Sequence, residues 1–221
     1  INVTTDKVYA NNNNKTPFIE SDQLGGSDIY SASKASVEII AKAYFETFFK
    51  KGNTKLANVR AGNVIGGGDF SMNRIIPDII KAVANKQTLQ VRSEHAVRPW
   101  QHVLEPISGY IQLAEHMLLG KVHGMSVWNF GPSQSACRTV GELIIEMSKY
   151  LPFNSENIEN PIHEANFLTL NSDKATENLG WKNRWNFEDT IYQTANWYLS
   201  YLQAQDLNKI TEMQVNDYFD R

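Results

Sequence analysis

A helix that begins with Tyr30-Ser31-Ala32-Ser33-Lys34 connects two segments of strand-like sequence. Apolar residues recur at helical spacing from Tyr30 to Lys51, which predicts a long amphipathic helix. Before it, Ile1–Thr4 reads as the end of a buried strand, and after it Leu56–Ile65 alternates and is rich in β-branched residues. Strand, helix and strand in this order predict a parallel crossover, so the sequence indicates an α/β fold.

The same alternation continues along the chain. Further helices are predicted at Arg74–Ala84, Glu105–Leu119 and Thr139–Tyr150, before Leu179-Gly180-Trp181, and from Phe187 to about Gln205, with strands at Thr88–Val91, Met125–Phe130 and near Ala165–Leu170. The residues after Asp206 are weakly patterned. This layout predicts the second half of a Rossmann-like doubly wound parallel sheet in residues 1–65, returning at about 100–131. A smaller α/β lobe, formed by residues 66–99 and 132–221, would cover the substrate.

The first residues predict that the chain is part of a longer protein. Ile1 lies in the middle of what reads as a strand, and the sequence holds no upstream βαβ partner for that strand. We therefore expect the C-terminal part of a larger sheet.

Composition excludes several classes of protein. The 221 residues are 42% hydrophobic and 20% charged with a net charge of −3, which is typical of a globular protein and predicts no nucleic-acid-binding surface. No apolar run approaches the ~20 residues that span a bilayer, and no signal peptide is recognisable, so we expect a cytoplasmic protein without membrane contact. The single cysteine, Cys137, rules out an intrachain disulfide and is expected to be buried. The five histidines show no metal-binding spacing, and no metal site is predicted.

Tyr30 and Lys34 form a candidate catalytic pair. Residues four apart lie on one face of a helix, and a neighbouring ammonium favours the phenolate form of a tyrosine. Such a pair suits removal of a hydroxyl proton while hydride passes to an oxidised nicotinamide, although Tyr-x-x-x-Lys alone occurs by chance in many helices. Thr5-Asp6-Lys7 follows the carboxyl end of the first strand, where open α/β sheets bind ligands.

Five segments in order resemble the extended short-chain dehydrogenase/reductase family, and within it the nucleotide-sugar 4,6-dehydratases, most closely the CDP-glucose branch. The segments are Thr5-Asp6-Lys7-Val8-Tyr9, Tyr30-Ser31-Ala32-Ser33-Lys34, Val59-Arg60-Ala61-Gly62-Asn63-Val64-Ile65-Gly66-Gly67-Gly68-Asp69, Arg98-Pro99-Trp100-Gln101-His102-Val103-Leu104-Glu105-Pro106 and Leu179-Gly180-Trp181. The resemblance implies a Rossmann domain with tightly held NAD. It also implies a lyase that oxidises C4 of a nucleotide hexose, removes water across C5 and C6, and returns hydride to C6, as in deoxysugar biosynthesis for lipopolysaccharide O-antigen.

The resemblance assigns roles to individual residues. Tyr30 would take the C4 hydroxyl proton, Lys34 would favour its phenolate and contact the nicotinamide ribose, and Thr5 would hydrogen-bond the C4 oxygen. Asp6 would protonate the departing C6 hydroxyl, which requires a neutral carboxyl, and burial would raise its pKa. Lys7 stands where the dTDP-glucose enzymes carry a glutamate as C5 base. It would act either as the base in its neutral form or as a cation that stabilises the enolate.

The resemblance also implies contacts with substrate and cofactor. Asn63 and Arg98 would hold the substrate diphosphate, since arginine binds phosphate bidentately. Arg74 is a second candidate, Ile75 would pack against the nucleotide, and Thr4 would join Tyr30 and Lys34 in binding NAD.

Other functions share part of this pattern. A sugar-nucleotide 4-epimerase or reductase of the same family would use Tyr30 and Lys34 but would need no acid at Asp6. A non-catalytic fragment is a second alternative, because the glycine-rich turn that holds the cofactor diphosphate is not in this sequence. We therefore expect these residues alone to bind NAD poorly. Relatives commonly dimerise through the helix that carries the tyrosine and lysine, so we expect a homodimer.

Overall fold

The computed structural model describes residues 1–11, 16–133, 136–158 and 167–220. Its helices are α1 (Ile29–Tyr44), α2 (Ile75–Asn85), α3 (Leu104–Leu118), α4 (Val140–Ser148), α5 (Asp173–Leu179), α6 (Phe187–Leu202) and α7 (Leu207–Asp220). Its strands are β1 (Asn2–Val3), β2 (Leu56–Ala61), β3 (Val64–Ile65), β4 (Leu89–Val91), β5 (Val97–Pro99), β6 (Gln101–His102), β7 (Met125–Phe130), β8 (Cys137–Thr139) and β9 (Ser155–Asn157).

The main sheet has the order β1-β2-β7, and both pairings are parallel. Helix α1 connects β1 to β2, which confirms the predicted crossover and the α/β fold. β2 is the central strand of the three, and five of its six residues are buried, as expected for a parallel strand covered on both faces. The prediction that the first segment is buried was wrong, since Ile1 and Val3 are half-exposed at the edge of this sheet.

The predicted strand Leu56–Ile65 is divided in two. β2 ends at Ala61, and β3 pairs instead with β6 in a separate two-stranded sheet. Gly62 lies at the break because a Cβ there would come within 2.5 Å of Pro99 Cγ, so only glycine allows the two segments to approach this closely. The break places Asn63 between the two sheets.

The predicted helices are confirmed, with small differences at their ends. The helix expected from Tyr30 to Lys51 begins one residue earlier and finishes in a π-helical turn at Phe45–Phe49, where the Lys50 amide donates to the carbonyl of Phe45. The residues after Asp206 form α7, which the weak pattern did not predict. Asn12–Asn14, His163 and the first residues of the strand expected near Ala165 lie outside the described residues.

The described residues form three apolar clusters, of which the two larger pack the sheet and its helices. One lies between the main sheet and helices α3 and α5, and contains Val59, Leu113 and Phe130. The other joins α2, α4 and α6 around Ile79 and Leu143. Four tryptophans are buried among the packed elements: Trp128, Trp181, Trp185 and Trp197. Cys137, expected to be buried, is only partly buried in β8.

Candidate active site

The Thr5-Asp6-Lys7 segment is fixed to the carboxyl end of β1. The Thr4 amide donates to the carbonyl of Val59 at 2.9 Å, which extends the pairing of β1 with β2 by one residue. Thr5 then caps a short 3-10 helix, Asp6–Val8, because its Oγ1 accepts from the Lys7 amide at 3.4 Å. The segment therefore leaves the sheet in a defined direction at the edge where parallel α/β sheets bind ligands.

Asp6 is almost fully enclosed. Its side chain is 3% exposed, Oδ1 accepts from the Thr5 hydroxyl at 3.1 Å, and Oδ2 has no partner in the described part of the chain. Burial raises the pKa of Asp6 to about 6, against the opposing effects of the Thr5 hydrogen bond and of the charges on Lys7 and Arg98. A carboxyl of this kind keeps its proton on about a tenth of molecules at pH 7, which suits a general acid. The expected rise in the pKa of Asp6 is confirmed.

Tyr30 lies in the first turn of α1. Asp28 caps this helix by accepting from the Ser31 amide at 2.9 Å, and the hydrogen bonds from Ser31 lower the pKa of Asp28. Gly26 precedes the cap with φ of +149°, and a Cβ there would lie 2.6 Å from the Ala32 amide nitrogen. Only glycine lets the loop before α1 pack this closely against the first turn of the helix. Tyr30 is half-exposed, and Lys34 lies one turn later and is partly buried.

A cleft of about 640 Å³ joins the sheet edge to the second apolar cluster. Most of the predicted site residues line it: Thr4, Thr5, Asp6, Lys7, Tyr30, Asn63, Arg74, Ile75 and Arg98. Lys34 does not line the cleft, although its helix does through Tyr30. The sequence thus predicted residues that come together from five separate segments of the chain.

The two predicted arginines differ in their surroundings. Arg98 lies in β5, partly buried, and its charge acts on the carboxyl of Asp6. Arg74 precedes α2 with a side chain that is 66% exposed, and its Nη1 pairs with Asp69 Oδ2 at 3.0 Å. Both arginines therefore line the cleft. The partly buried Arg98 acts on Asp6 through its charge, whereas Arg74 lies at the surface.

Sequence reasoning missed several polar residues of the cleft. Gln90 and Arg92 lie on either side of the buried Val91, at the end of β4, and both line the cleft together with Ser93 and Asn73. The alternation of side chains along a strand could have revealed them. It places Gln90 and Arg92 on the face opposite the core residues Leu89 and Val91. Strand β4 had been predicted, but its outward face had not been considered as a binding surface.

Within the described residues, no three His, Cys, Asp or Glu side chains are grouped so as to hold a metal ion. No helix among them is both long enough and apolar enough to cross a bilayer.

Comparison with known proteins identifies the family. The family model described as GDP-mannose 4,6 dehydratase matches residues 1–194. The CDP-glucose 4,6-dehydratase of Salmonella typhimurium is 36% identical over 226 residues, covering 99% of this chain and 63% of that enzyme. The dTDP-glucose 4,6-dehydratase of Shigella flexneri is 25% identical, covering 90% of this chain and 57% of that enzyme. The chain thus spans less than two thirds of the length of these relatives.

Solved structures show the same fold. The dTDP-glucose 4,6-dehydratase from Bacillus anthracis in complex with NAD matches with a TM-score of 0.76 at 23% identity, over 92% of this chain and 62% of that one. The UDP-glucose-4-epimerase from Stenotrophomonas maltophila, with bound NAD, matches with a TM-score of 0.79 at 18% identity, over 91% of this chain and 63% of that one. The Rossmann-like fold is therefore confirmed, and the chain belongs to the GDP-mannose 4,6 dehydratase family.

Proposed function

We propose that the protein dehydrates a nucleotide hexose with NAD, converting CDP-glucose to CDP-4-keto-6-deoxyglucose. The observation that supports this proposal is the buried Asp6, whose pKa is about 6, in one cleft with Tyr30. An elimination needs an acid for the departing hydroxyl as well as a base for the hydroxyl that is oxidised. The identity to the Salmonella enzyme, over 99% of this chain, favours CDP-glucose as the substrate.

The residues of the cleft fit a nicotinamide cofactor. Asp6 Oδ2 is buried without a partner in the described residues, and the half-exposed Tyr30 lines the same space. The relatives solved with NAD share this fold. NAD would accept hydride and later return it, while Tyr30 and Lys34 would hold it through its ribose. Thr4 would contribute from the end of β1, although its hydroxyl already donates to Glu38 Oε1 at 2.6 Å.

The first half of the reaction would be carried by α1 and Thr5. Tyr30, with Lys34 favouring its phenolate, takes the proton of the C4 hydroxyl as hydride leaves C4. Thr5 hydrogen-bonds the C4 oxygen and holds it in place. The resulting ketone makes the C5 hydrogen acidic, which allows the C6 hydroxyl to leave.

The second half would be carried by Asp6 and Lys7. The C5 proton passes to a base, and Asp6 gives its proton to the C6 hydroxyl, which departs as water. Return of hydride to C6 and of a proton to C5 would complete the product, and NAD would be regenerated in each turnover. Lys7 lies beside Asp6, and we assign it either the role of C5 base or that of a cation beside the enolate.

The substrate diphosphate would lie between the sheet edge and the second apolar cluster. Arg98 and Asn63 line the cleft near Asp6, and Arg74 and Ile75 line it at the start of α2. This arrangement supports the proposed division into an NAD-binding part, residues 1–65 with 100–131, and a substrate-binding lobe, residues 66–99 with 132–221. Helix α5, however, packs on β7 and α3 of the first part.

A homodimer in the cytoplasm remains part of the proposal. Exposed apolar side chains continue along the outer face of α1 and its π-helical turn, which supports self-association: Ile39, Ile40, Tyr44 and Phe48. Light scattering of the full-length protein measures the oligomeric state, and a monomer would contradict this part.

The full-length protein tests the reaction. Incubated with CDP-glucose, it should form a 4-keto-6-deoxy product that absorbs in base. Asp6→Asn should retain NAD binding and lose elimination by about 10²- to 10⁴-fold, the contribution typical of general acid catalysis. Tyr30→Phe is the control that should lose the oxidation itself.

Two outcomes would contradict the proposal. Unchanged elimination by Asp6→Asn would remove the acid assignment and favour a 4-epimerase or reductase. Faster turnover of dTDP-glucose or UDP-glucose than of CDP-glucose would overturn the choice of nucleotide.

A further inference from the structure

Glu38 is a buried carboxylate on the helix that carries the proposed catalytic pair. It follows Lys34 by four residues and Tyr30 by eight, so the three lie along one face of α1. Its side chain is 3% exposed, which is rare for a glutamate unless it is paired. No step of the proposed reaction uses it.

The carboxylate is held by two segments of the main sheet. Arg60 of β2 donates from Nε to Oε1 at 2.8 Å and from Nη2 to Oε2, a bidentate pair. Thr4, directly before the acid segment, donates from Oγ1 to Oε1 at 2.6 Å. Glu38 therefore joins the helix of Tyr30 to the strand end that leads into Thr5 and Asp6.

Arg60 is itself fixed on every side. It is 2% exposed, its guanidinium lies 4.6 Å from the centre of the Tyr9 ring, and Nη1 donates to the carbonyl of Glu20 at 3.3 Å. The Tyr9 hydroxyl in turn donates to Asn129 of β7 at 2.7 Å. Strands β2 and β7, together with Thr4 directly after β1, thus fix the surroundings of this one ion pair.

Stability alone does not account for such a pair. A buried ion pair is often no more stabilising than apolar side chains of the same volume, because both charges lose their hydration. A bidentate arginine–carboxylate pair does fix distance and angle, whereas apolar contact is non-directional. A displacement of about 1 Å at reacting groups can cost 10²-fold in rate, so fixed geometry has a catalytic value.

We propose that Glu38 and Arg60 are positioning residues, which hold the Tyr30–Lys34 face of α1 at a fixed distance from Thr5 and Asp6. The proposal rests on the proposed function, in which Tyr30 and Asp6 act on one sugar. Glu38 and Arg60 touch neither substrate nor cofactor and act through α1 and β2.

Two variants of the full-length protein distinguish an effect on the geometry of the site from an effect on protein stability. Glu38→Gln should lower kcat about 10- to 100-fold and leave KM within about twofold, because substrate contacts lie elsewhere. Glu38→Leu with Arg60→Met removes both charges, so its melting temperature should approach that of the wild type. Its kcat should nevertheless stay low, since apolar contact does not restore the geometry.

Glu105→Gln is the matched control. Glu105 is a fully buried carboxylate on α3 that accepts from the amides of Arg184 and Trp185, away from the cleft. This variant should change stability and leave kcat unaltered. A kcat of wild-type size in Glu38→Gln, or recovery of kcat together with stability in the double variant, would overturn the inference while leaving the proposed function intact.

Hydrogen exchange tests the inference independently of turnover. In the double variant, the amides of residues 29–35 should exchange faster than in the wild type, while those of α6 should not change. If the wild type fails to convert CDP-glucose, the proposed function fails, and unchanged exchange at the start of α1 would then overturn the positioning role as well.

Discussion

At the scale of single residues, one buried carboxyl distinguishes this cleft from a simple redox site. In the proposed reaction Tyr30 on α1 is the base for a hydroxyl proton, a role that a tyrosine and lysine pair would also have in a redox enzyme without elimination. Asp6 adds a group that carries a proton near neutral pH, because burial raises its pKa to about 6. The resemblance to the 4,6-dehydratases implied an acid at Asp6 whose pKa would be raised by burial, and burial is the largest cause of the rise.

The stability of the protein should report the ionisation of Asp6. The pKa of Asp6 is about 6 in the folded state, above the usual 3.8. Between about pH 4 and pH 6 the folded protein therefore keeps a proton on Asp6 that the unfolded chain has released. Stability contributed by this proton should fall by up to about 3 kcal/mol as pH rises from 4 to 7. Urea unfolding from pH 4 to 7 should show that Asp6→Asn lacks this loss.

Asp28→Asn provides a control of opposite sign. The pKa of Asp28 is lowered by its hydrogen bonds with Ser31, so its contribution to stability should be present at neutral pH and disappear in acid. A wild-type profile that matches that of Asp6→Asn at every pH would contradict the assignment of a buried, protonated Asp6.

At the scale of elements, the cleft depends on a close contact between the turn after β3 and helix α6. A Cβ on Gly67 would come within 2.1 Å of the Trp197 ring, so the turn and the helix touch directly. Both Gly67 and its neighbour Gly66 line the cleft. Three consecutive glycines, Gly66 to Gly68, occupy this segment, and Gly67 packs against an aromatic ring.

Gly67→Ala should therefore destabilise the protein by about 1–3 kcal/mol or more, the usual cost of overpacking. Unfolding followed by circular dichroism measures the loss. Gly52→Ala is the matched control, because its Cβ would lie 3.6 Å from the Phe49 carbonyl, an ordinary contact. Equal stability of the two variants would show that Trp197 moves aside without cost.

Elements with a strong period were predictable, whereas short strands were not. Helices α1 and α2 and strand β7 follow from apolar spacing within one segment. Strands β5 and β8 pair with each other across about forty residues, Pro99 with Cys137 for example, and neither has an alternating pattern long enough to detect. Their pairing depends on distant contacts that local sequence does not encode.

At the scale of the whole molecule, α7 is attached by polar as well as apolar groups, since Leu207 and Ile210 pack against the cluster around Ile79 and Leu143. Its two buried side chains are Gln214 and Tyr218, spaced four residues apart. The Gln214 amide donates to the carbonyl of Gln193, and the Tyr218 hydroxyl donates to Glu105 Oε2 at 2.8 Å. A search for apolar periodicity missed this helix, because the two side chains that it buries fully are hydrogen-bonded polar ones and its apolar contacts are few.

Tyr218→Phe should test this attachment. The hydroxyl also shares a hydrogen bond of 2.9 Å with Ser108, so its loss removes two buried hydrogen bonds and should cost about 1–3 kcal/mol. Thermal unfolding measures the change. Met213→Leu, on an exposed position of the same helix, should have no effect. A melting temperature unchanged in Tyr218→Phe would contradict the polar attachment.

The pairing of β1 with β2 has a consequence for how the chain selects one alignment during folding. Asn2 lies opposite Asn58 and donates to its side chain at 2.8 Å, while Arg60 faces Glu38 from the same side of β2. A slip of one residue would turn Arg60 to the opposite face of the sheet and present an apolar valine to a buried carboxylate. These buried polar groups thus penalise a misaligned sheet, so a chain that folds with its ion pair formed also brings Asp6 and Tyr30 into one cleft.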